Sequence, residues 1–196
     1  MKKIILILLA ALFLTSCGQA TPSSPPSATP NPDAIAALSI PGTDISAPVL
    51  PTEDNSALWI NTEYNNIDFS NPVIVIHGSS SGPFNALQRA FMEDGSVQAH
   101  SDVVLKLPSG EQHYRVFAAG AYNNTDILRY NLSFKTRANI PRFVDQFMSY
   151  HTMIRQVDES ITITESDNLL ILSTELSYDP SQRFLVLAKQ TSSTIT

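Results

Sequence analysis

Two apolar segments joined by a polar connection near the C-terminal end constrain the fold most. Leu169–Leu172 and Phe184–Ala188 are continuous apolar runs, and a turn-forming segment around Pro180 separates them. Short apolar runs bounded by turn residues are typical of strands buried on both faces. Glu175 follows the first run and Arg183 precedes the second. The stretch therefore predicts two core strands with opposite charges at one loop end, where functional groups often lie.

The rest of the folded region predicts a mostly β domain with a few helices. Further strands are predicted at Asp44–Leu50, Ala57–Ile60, Pro72–His77, Asp102–Leu107, Gln112–Ala119 and Ser160–Thr164. Helical spacing predicts one helix over Phe84–Phe91 and another of about four turns over Ile140–Ile154. Ala34–Ile40 predicts a short helical turn. A chain of 196 residues suits a single core, which we assign to residues 34–196.

The first 16 residues have the features of an export signal. Lys2 and Lys3 precede the apolar run Ile4–Leu14, which is shorter than the roughly 20 residues that span a bilayer. Leu14–Gly18 resembles the lipobox of bacterial lipoproteins, in which cleavage leaves the cysteine, here Cys17, as a lipidated N-terminus. An ordinary secretory signal with a chance cysteine is the alternative.

Residues 17–33 change composition to proline, serine, threonine and alanine. Such a segment cannot bury apolar surface, and its prolines favour an extended chain, so it predicts a tether. We therefore expect a lipid-anchored protein on the extracytoplasmic face of the cell membrane of a Gram-positive bacterium.

Charge and cysteine content exclude several functions. The formal net charge is −6, and no cluster of basic residues suited to phosphate contacts is present, which argues against nucleic acid as a partner. Cys17 is the only cysteine, so the folded domain has neither a disulfide nor a thiol nucleophile.

His77 ends an apolar strand immediately before a loop of glycines and serines, a position suited to catalysis or ligand contact. From the position alone, a histidine that merely ends a strand is the favoured alternative. Leu172–Glu175, followed by Arg183 at the start of the next strand, resembles the sortase signature, in which Leu-Ser-Thr-Cys carries the nucleophile. Ile40–Thr43 and the helix Phe84–Phe91 are also similar to sortase motifs. The resemblance extends over about Ile40–Lys189.

This resemblance implies a closed β-barrel that uses Cys, His and Arg to cleave a sorting peptide and transfer its acyl group to an amine. The helix between the sixth and seventh strands resembles that of class B sortases. Residue by residue, His77 matches the histidine, Arg183 matches the arginine, and Glu175 stands in place of the cysteine.

Replacement of a thiolate by a carboxylate predicts loss of the transpeptidase reaction, because a carboxylate attacking an amide would have to form a mixed anhydride. Arg183 and a His77 imidazolium are candidates to pair with Glu175. We expect a binding or scaffolding module for a sorting-signal-like peptide, or for a cell-wall or pilus protein, that uses no cofactor.

Two other functions remain open from the residues alone. Glu175 and His77 are candidates for general base and acid in hydrolysis. Alternatively, His77 would activate a serine, with four candidates: Ser79, Ser80, Ser81 and Ser173. A metal site at Glu175 and His77 lacks a third ligand with motif spacing, so no metal is expected.

Overall fold

The computed structural model describes residues 31–92, 95–122, 134, 136–150, 155–176 and 178–195. Within these ranges the chain forms nine strands and three helices. The strands are β1 (Ala36–Ser39), β2 (Ser46–Leu50), β3 (Leu58–Ile60), β4 (Val73–Gly78), β5 (Asp102–Leu107), β6 (Gly110–Tyr122), β7 (Arg155–Val157), β8 (Leu169–Leu176) and β9 (Asp179–Ile195). The helices are α1 (Asn85–Phe91), α2 (Ser96–Ala99) and α3 (Asn139–Ser149).

Eight of these strands close into a barrel. Their order is β5-β1-β2-β3-β4-β8-β9-β6, and pairing of β5 with β6 completes the ring, while β7 adds to β6 outside it. The pairs β2–β3 and β4–β8 are parallel, and the remaining pairs are antiparallel. The predicted closed, mostly β architecture is therefore confirmed.

The barrel interior is filled by one apolar cluster to which all eight strands contribute. Ile74 and Ile76 of β4 and Leu170 and Leu172 of β8 point into it. Helix α1 closes one end of this cluster with buried Leu87 and Phe91. Because successive side chains of a strand face opposite ways, the odd-numbered residues of β4 and β8 must face outward.

A second apolar cluster covers this outer face of the sheet. Val73 and Val75 of β4 and Leu169 and Ile171 of β8 pack there under α3. The helix contributes its apolar stripe, Ile140, Phe143, Val144 and Phe147. Both faces of β4 and β8 are thus buried, which explains why their sequences are continuous apolar runs.

Helix α3 lies between the sixth and seventh strands, as the sequence predicts, but it is shorter than expected. It ends at Ser149, and the backbone of Tyr150 is already extended. The predicted last turn, residues 151–154, lies outside the described residues.

Two predicted elements are wrong. Ala34–Ile40 is not a helical turn, because residues 36–39 pair with both β2 and β5. Ser160–Thr164 is not a strand, although Ile161 and Ile163 pack on the outer cluster as their alternation predicts. In that segment a bond to a side chain takes the place of backbone hydrogen bonds between strands. The backbone N–H of Ser160 donates to the Asp158 carboxylate. Local bonds of this kind compete with strand pairing.

Residues 1–30, including Cys17, lie outside the described residues, so the signal peptide, its lipid and most of the tether stay predictions. Among the described helices, none combines the length and apolar composition needed to cross a membrane.

We expect Phe147→Ala to lower the free energy of unfolding by about 3–5 kcal/mol, because its ring is buried between α3 and the sheet. Denaturant unfolding followed by circular dichroism measures the change. Gln146→Ala, on the exposed side of the same helix, is the matched control and should cost less than about 0.5 kcal/mol. Equal effects of the two substitutions would contradict the packing of α3 on the barrel.

Candidate functional site

His77 lies one residue before the end of β4 and continues the outward-facing row of Val73 and Val75. Its backbone is opposite Trp59 of β3 on one side and Ser173 of β8 on the other. The imidazole stacks on the Trp59 indole, with ring centroids 4.4 Å apart and an interplanar angle of 21°. The sheet therefore holds the His77 ring in one orientation on the outer face of the barrel.

Two glycines shape the loop that follows His77. A Cβ on Gly78 would approach the Phe84 side chain to 2.6 Å and the Leu58 side chain to 2.8 Å. No residue larger than glycine therefore fits at position 78 without displacing these side chains. A Cβ on Gly82 would lie 2.4 Å from the carbonyl oxygen of Asn55. The loop is thus packed closely against the β2–β3 connection, which lies beside His77.

Glu175 and Arg183 are directly opposite each other in the β8–β9 pair. The Arg183 Nη1 donates to Glu175 Oε1 at 3.4 Å, and its Nε donates to the Ser173 hydroxyl at 2.7 Å. The Arg183 side chain is 17% exposed and that of Glu175 is 39% exposed. The guanidinium is therefore held against the sheet, whereas the carboxylate reaches solvent.

The three predicted site residues share one face. Ser173 continues the outward row of Leu169 and Ile171, and Glu175 follows it on the same side of β8. Because His77 is the parallel-pair neighbour of Ser173 and Arg183 bonds to both Ser173 and Glu175, the structure brings His77, Glu175 and Arg183 together. They lie just beyond the part of the sheet that α3 covers.

Burial keeps His77 neutral. Desolvation, followed by the positive charge of Arg183, lowers the pKa of His77 to about 3. Its Nδ1 is buried and has no hydrogen-bond partner among the described residues. The imidazolium considered from the sequence as a partner for Glu175 therefore does not form at neutral pH, and Arg183 is the cation paired with Glu175.

Burial lowers the pKa of Arg183, and the carboxylates of Glu175 and Glu53 oppose this shift. A buried guanidinium needs such compensation, since an unpaired charge in a low-dielectric environment is costly. Glu53 belongs to the β2–β3 connection and is exposed. The site thus combines one enclosed cation with two accessible carboxylates.

Of the four candidate serines, Ser173 is poorly placed for nucleophilic attack. Ser173 is 0% exposed, and its hydroxyl oxygen already accepts the Arg183 hydrogen bond. The hydroxyls of Ser79 and Ser81 hydrogen-bond to each other at 2.9 Å. A neutral imidazole with a pKa near 3 is also a weak general base.

Several site contacts are absent from the sequence-based prediction. Trp59, the single tryptophan of the chain, forms the stack on His77. Gln88 of α1 is buried and donates from Nε2 to the backbone carbonyl of Glu175 at 2.7 Å. This bond fixes the end of β8 to a helix 87 residues away. A glutamine on a helical face carries no sequence signal for such a contact.

In the described part of the chain, no three His, Cys, Asp or Glu side chains are grouped to hold a metal ion. Glu175 is paired with the Arg183 guanidinium.

Known proteins resemble this chain in structure. No family model and no curated protein sequence matches it. Clostridium perfringens sortase B superposes with a TM-score of 0.68 at 19% identity, covering 83% of this chain and 96% of that one. A Streptococcus pyogenes class B sortase involved in pilus biogenesis gives 0.64 at 18% identity, covering 82% and 94%.

A Staphylococcus aureus sortase B–substrate complex gives a TM-score of 0.63 at 19% identity, covering 83% of this chain and 81% of that one. Identities below 20% establish the shared architecture rather than a shared activity. The chain therefore has the closed-barrel fold of the class B sortases.

Proposed function

We propose that this protein is a lipid-anchored, extracytoplasmic sortase-like module that binds a peptide or protein at the cell wall without cysteine transpeptidase activity. The observation that carries the proposal is the position of Glu175. It lies at the end of β8 beside Arg183, where the sortase resemblance implies a nucleophilic cysteine.

The chemistry of the site supports binding over turnover. Transpeptidation by a cysteine needs a thiolate that forms a thioester, and a carboxylate cannot form an equivalent intermediate of similar stability. Glu175 instead forms an ion pair with Arg183. His77 is neutral and stacked on Trp59, so it is not charged to stabilise a thiolate or ready to donate a proton.

Retention of the surrounding architecture supports a remaining binding role. The outer face of β4, β8 and β9 holds His77, Glu175 and Arg183 together, on the same side of the sheet as the cluster that α3 covers. One structural neighbour, Staphylococcus aureus sortase B, was solved as a substrate complex. We infer that the corresponding surface here receives an extended peptide segment, such as a sorting-signal-like sequence of a wall or pilus protein.

Catalysis by Glu175 with His77, or by a serine, is the alternative. Ser173 is buried and already hydrogen-bonded, and the low pKa of His77 makes it a poor base. Both features weigh against this alternative, and the same assay that tests binding also tests it.

We expect a positional-scanning library of N-acetylated, C-amidated pentapeptides to bind saturably and remain uncleaved. Fluorescence polarisation measures binding, and mass spectrometry of the recovered peptides measures cleavage with and without an added amine. Turnover that Glu175→Ala abolishes would sink the proposal. Labelling by a fluorophosphonate at Ser79, Ser80, Ser81 or Ser173 would favour the serine alternative instead.

Neutrality of His77 predicts a specific pH dependence of stability. In the unfolded chain His77 has the ordinary histidine pKa of 6.5, whereas in the folded protein its pKa is about 3. The unfolded state therefore holds more protons between these values, so the free energy of unfolding falls as the pH is lowered from about 6.5 toward 3. His77→Gln should reduce this loss between pH 7.5 and pH 4.5, measured by urea unfolding. An NMR titration in which the His77 imidazole protonates near pH 6 would contradict the prediction.

Lipid attachment at Cys17 is tested in a bacterial host that processes lipoproteins. We expect the wild-type chain to partition into the detergent phase of Triton X-114 extracts, because acyl chains contribute about 0.8 kcal/mol per buried CH₂. Cys17→Ser should move most of the protein into the aqueous phase or leave it with an uncleaved signal. Unchanged processing and partitioning of Cys17→Ser would refute the anchor.

A further inference from the structure

A pocket of about 290 Å³ lies on the outside of the barrel, beside the start of β1. Most of the side chains that line it are apolar, and they come from β1, β2, β5 and their ends: Ile35, Ala37, Pro48, Leu107 and Pro108 among them. Ala37 is exposed and lies directly opposite Pro48 of β2 and Lys106 of β5. Around the barrel, three strands separate β1 from β8 in either direction, so this pocket is distinct from the candidate functional site.

The chain reaches β1 through a β-turn at this pocket. Asn31, the first residue of the turn, lines the pocket. Its carbonyl oxygen accepts a hydrogen bond from the Ala34 N–H at 3.1 Å, and its Oδ1 accepts one from the Asp33 N–H at 2.9 Å. Asparagine at the first position and proline at the second are typical of such turns. Because a β-turn reverses the chain, the residues before Asn31 are directed back alongside residues 34–37, which also line the pocket.

A segment that returns along β1 can contact only the outer face of this strand. Both edges of β1 are already paired, one with β2 and the other with β5. The inward side chains, Ala36 and Leu38, belong to the apolar cluster that fills the barrel. The outer face contains the pocket, so the direction of the turn and the pairing of β1 both bring the preceding segment to the same place.

Residues 28–30 match the pocket in length and polarity. Three extended residues reach about 9 Å, which is close to the roughly 10 Å of extended chain between residues 34 and 37. In an extended chain alternate side chains share one side, so Ala28 and Pro30 can both face the pocket while Thr29 faces solvent. Residues 17–30 contain no charged side chain, so docking of this segment buries no ion.

We propose that the tether folds back at Asn31 and that Ala28 and Pro30 dock in this pocket of the same molecule. Asn31 joins the segment directly to the pocket, which gives an effective concentration in the millimolar range, so weak apolar contacts suffice. The rest of the tether then leaves the barrel on the side opposite β8, away from His77 and Glu175. This inference depends neither on lipid attachment nor on peptide binding at the candidate functional site.

NMR relaxation tests the docking in residues 17–196, the chain without its predicted export signal, with Cys17→Ser to prevent disulfides between molecules. We expect backbone order parameters of about 0.85 at Ala28 and Thr29, as in folded backbone. Values below about 0.6 at both residues, as in a flexible chain, would overturn the proposal. Dilution should leave the order parameters unchanged, because the contact lies within one molecule. Order that is lost on dilution would show docking between two copies and would refute the intramolecular contact.

Two matched pairs of variants assign the contact to this pocket. Ala37→Gln fills the pocket and should lower the order parameter of Ala28 below about 0.6, whereas Ser192→Gln, at an exposed position of β9, should leave it unchanged.

In the tether, Ala28→Lys places a charge in an apolar pocket and should release the segment, whereas Thr29→Lys should not. The amide of the neighbouring residue, Thr29 or Ala28, reports each result. The tether pair leaves the sequence of the barrel unchanged, so it tests the contact even where Ala37→Gln disturbs folding. Equal effects of Ala28→Lys and Thr29→Lys would contradict docking through Ala28 and Pro30.

Discussion

The parallel pairing of β4 with β8 is the interaction on which the site depends. It places His77 beside Ser173, although three strands, β5 to β7, and the three described helices lie between these residues in the sequence. The pair is stable because its side chains are buried on both faces, in the barrel interior and under α3. Without that pairing, His77 and Glu175 would have no common surface.

Electrostatics then determines what the assembled site can do. Burial that would destabilise a charged histidine leaves His77 neutral, and burial of the Arg183 guanidinium is compensated by Glu175. Desolvation thus lowers the pKa of both groups, and ion pairing with Glu175 opposes that shift at Arg183. The resulting site contains a Glu175–Arg183 ion pair beside a neutral His77.

The same fold serves different functions when the residues at its sites change. Class B sortases at 18–19% identity share the barrel fold of this chain. The local chemistry of this chain, with Glu175 reaching solvent beside an enclosed Arg183, is what directs the functional proposal.

The sequence by itself determined the strands with the clearest patterns, because continuous apolar runs such as those of β4 and β8 can only be buried on both faces. It also pointed to His77, Glu175 and Arg183 as candidate site residues, through their places at strand ends and their match to sortase motifs. It misjudged Ser160–Thr164, since alternation reports which side chains are buried but not whether a neighbouring strand is free to pair.

Only the tertiary structure decided how these residues act. The neutral state of His77, the Trp59 stack and the Gln88 bond to Glu175 arise between segments that are distant in sequence. Desolvation depends on everything packed around a group, so no local pattern can encode it. The sequence therefore indicated three candidate site residues, His77, Glu175 and Arg183, and long-range packing decided their charges, partners and exposure.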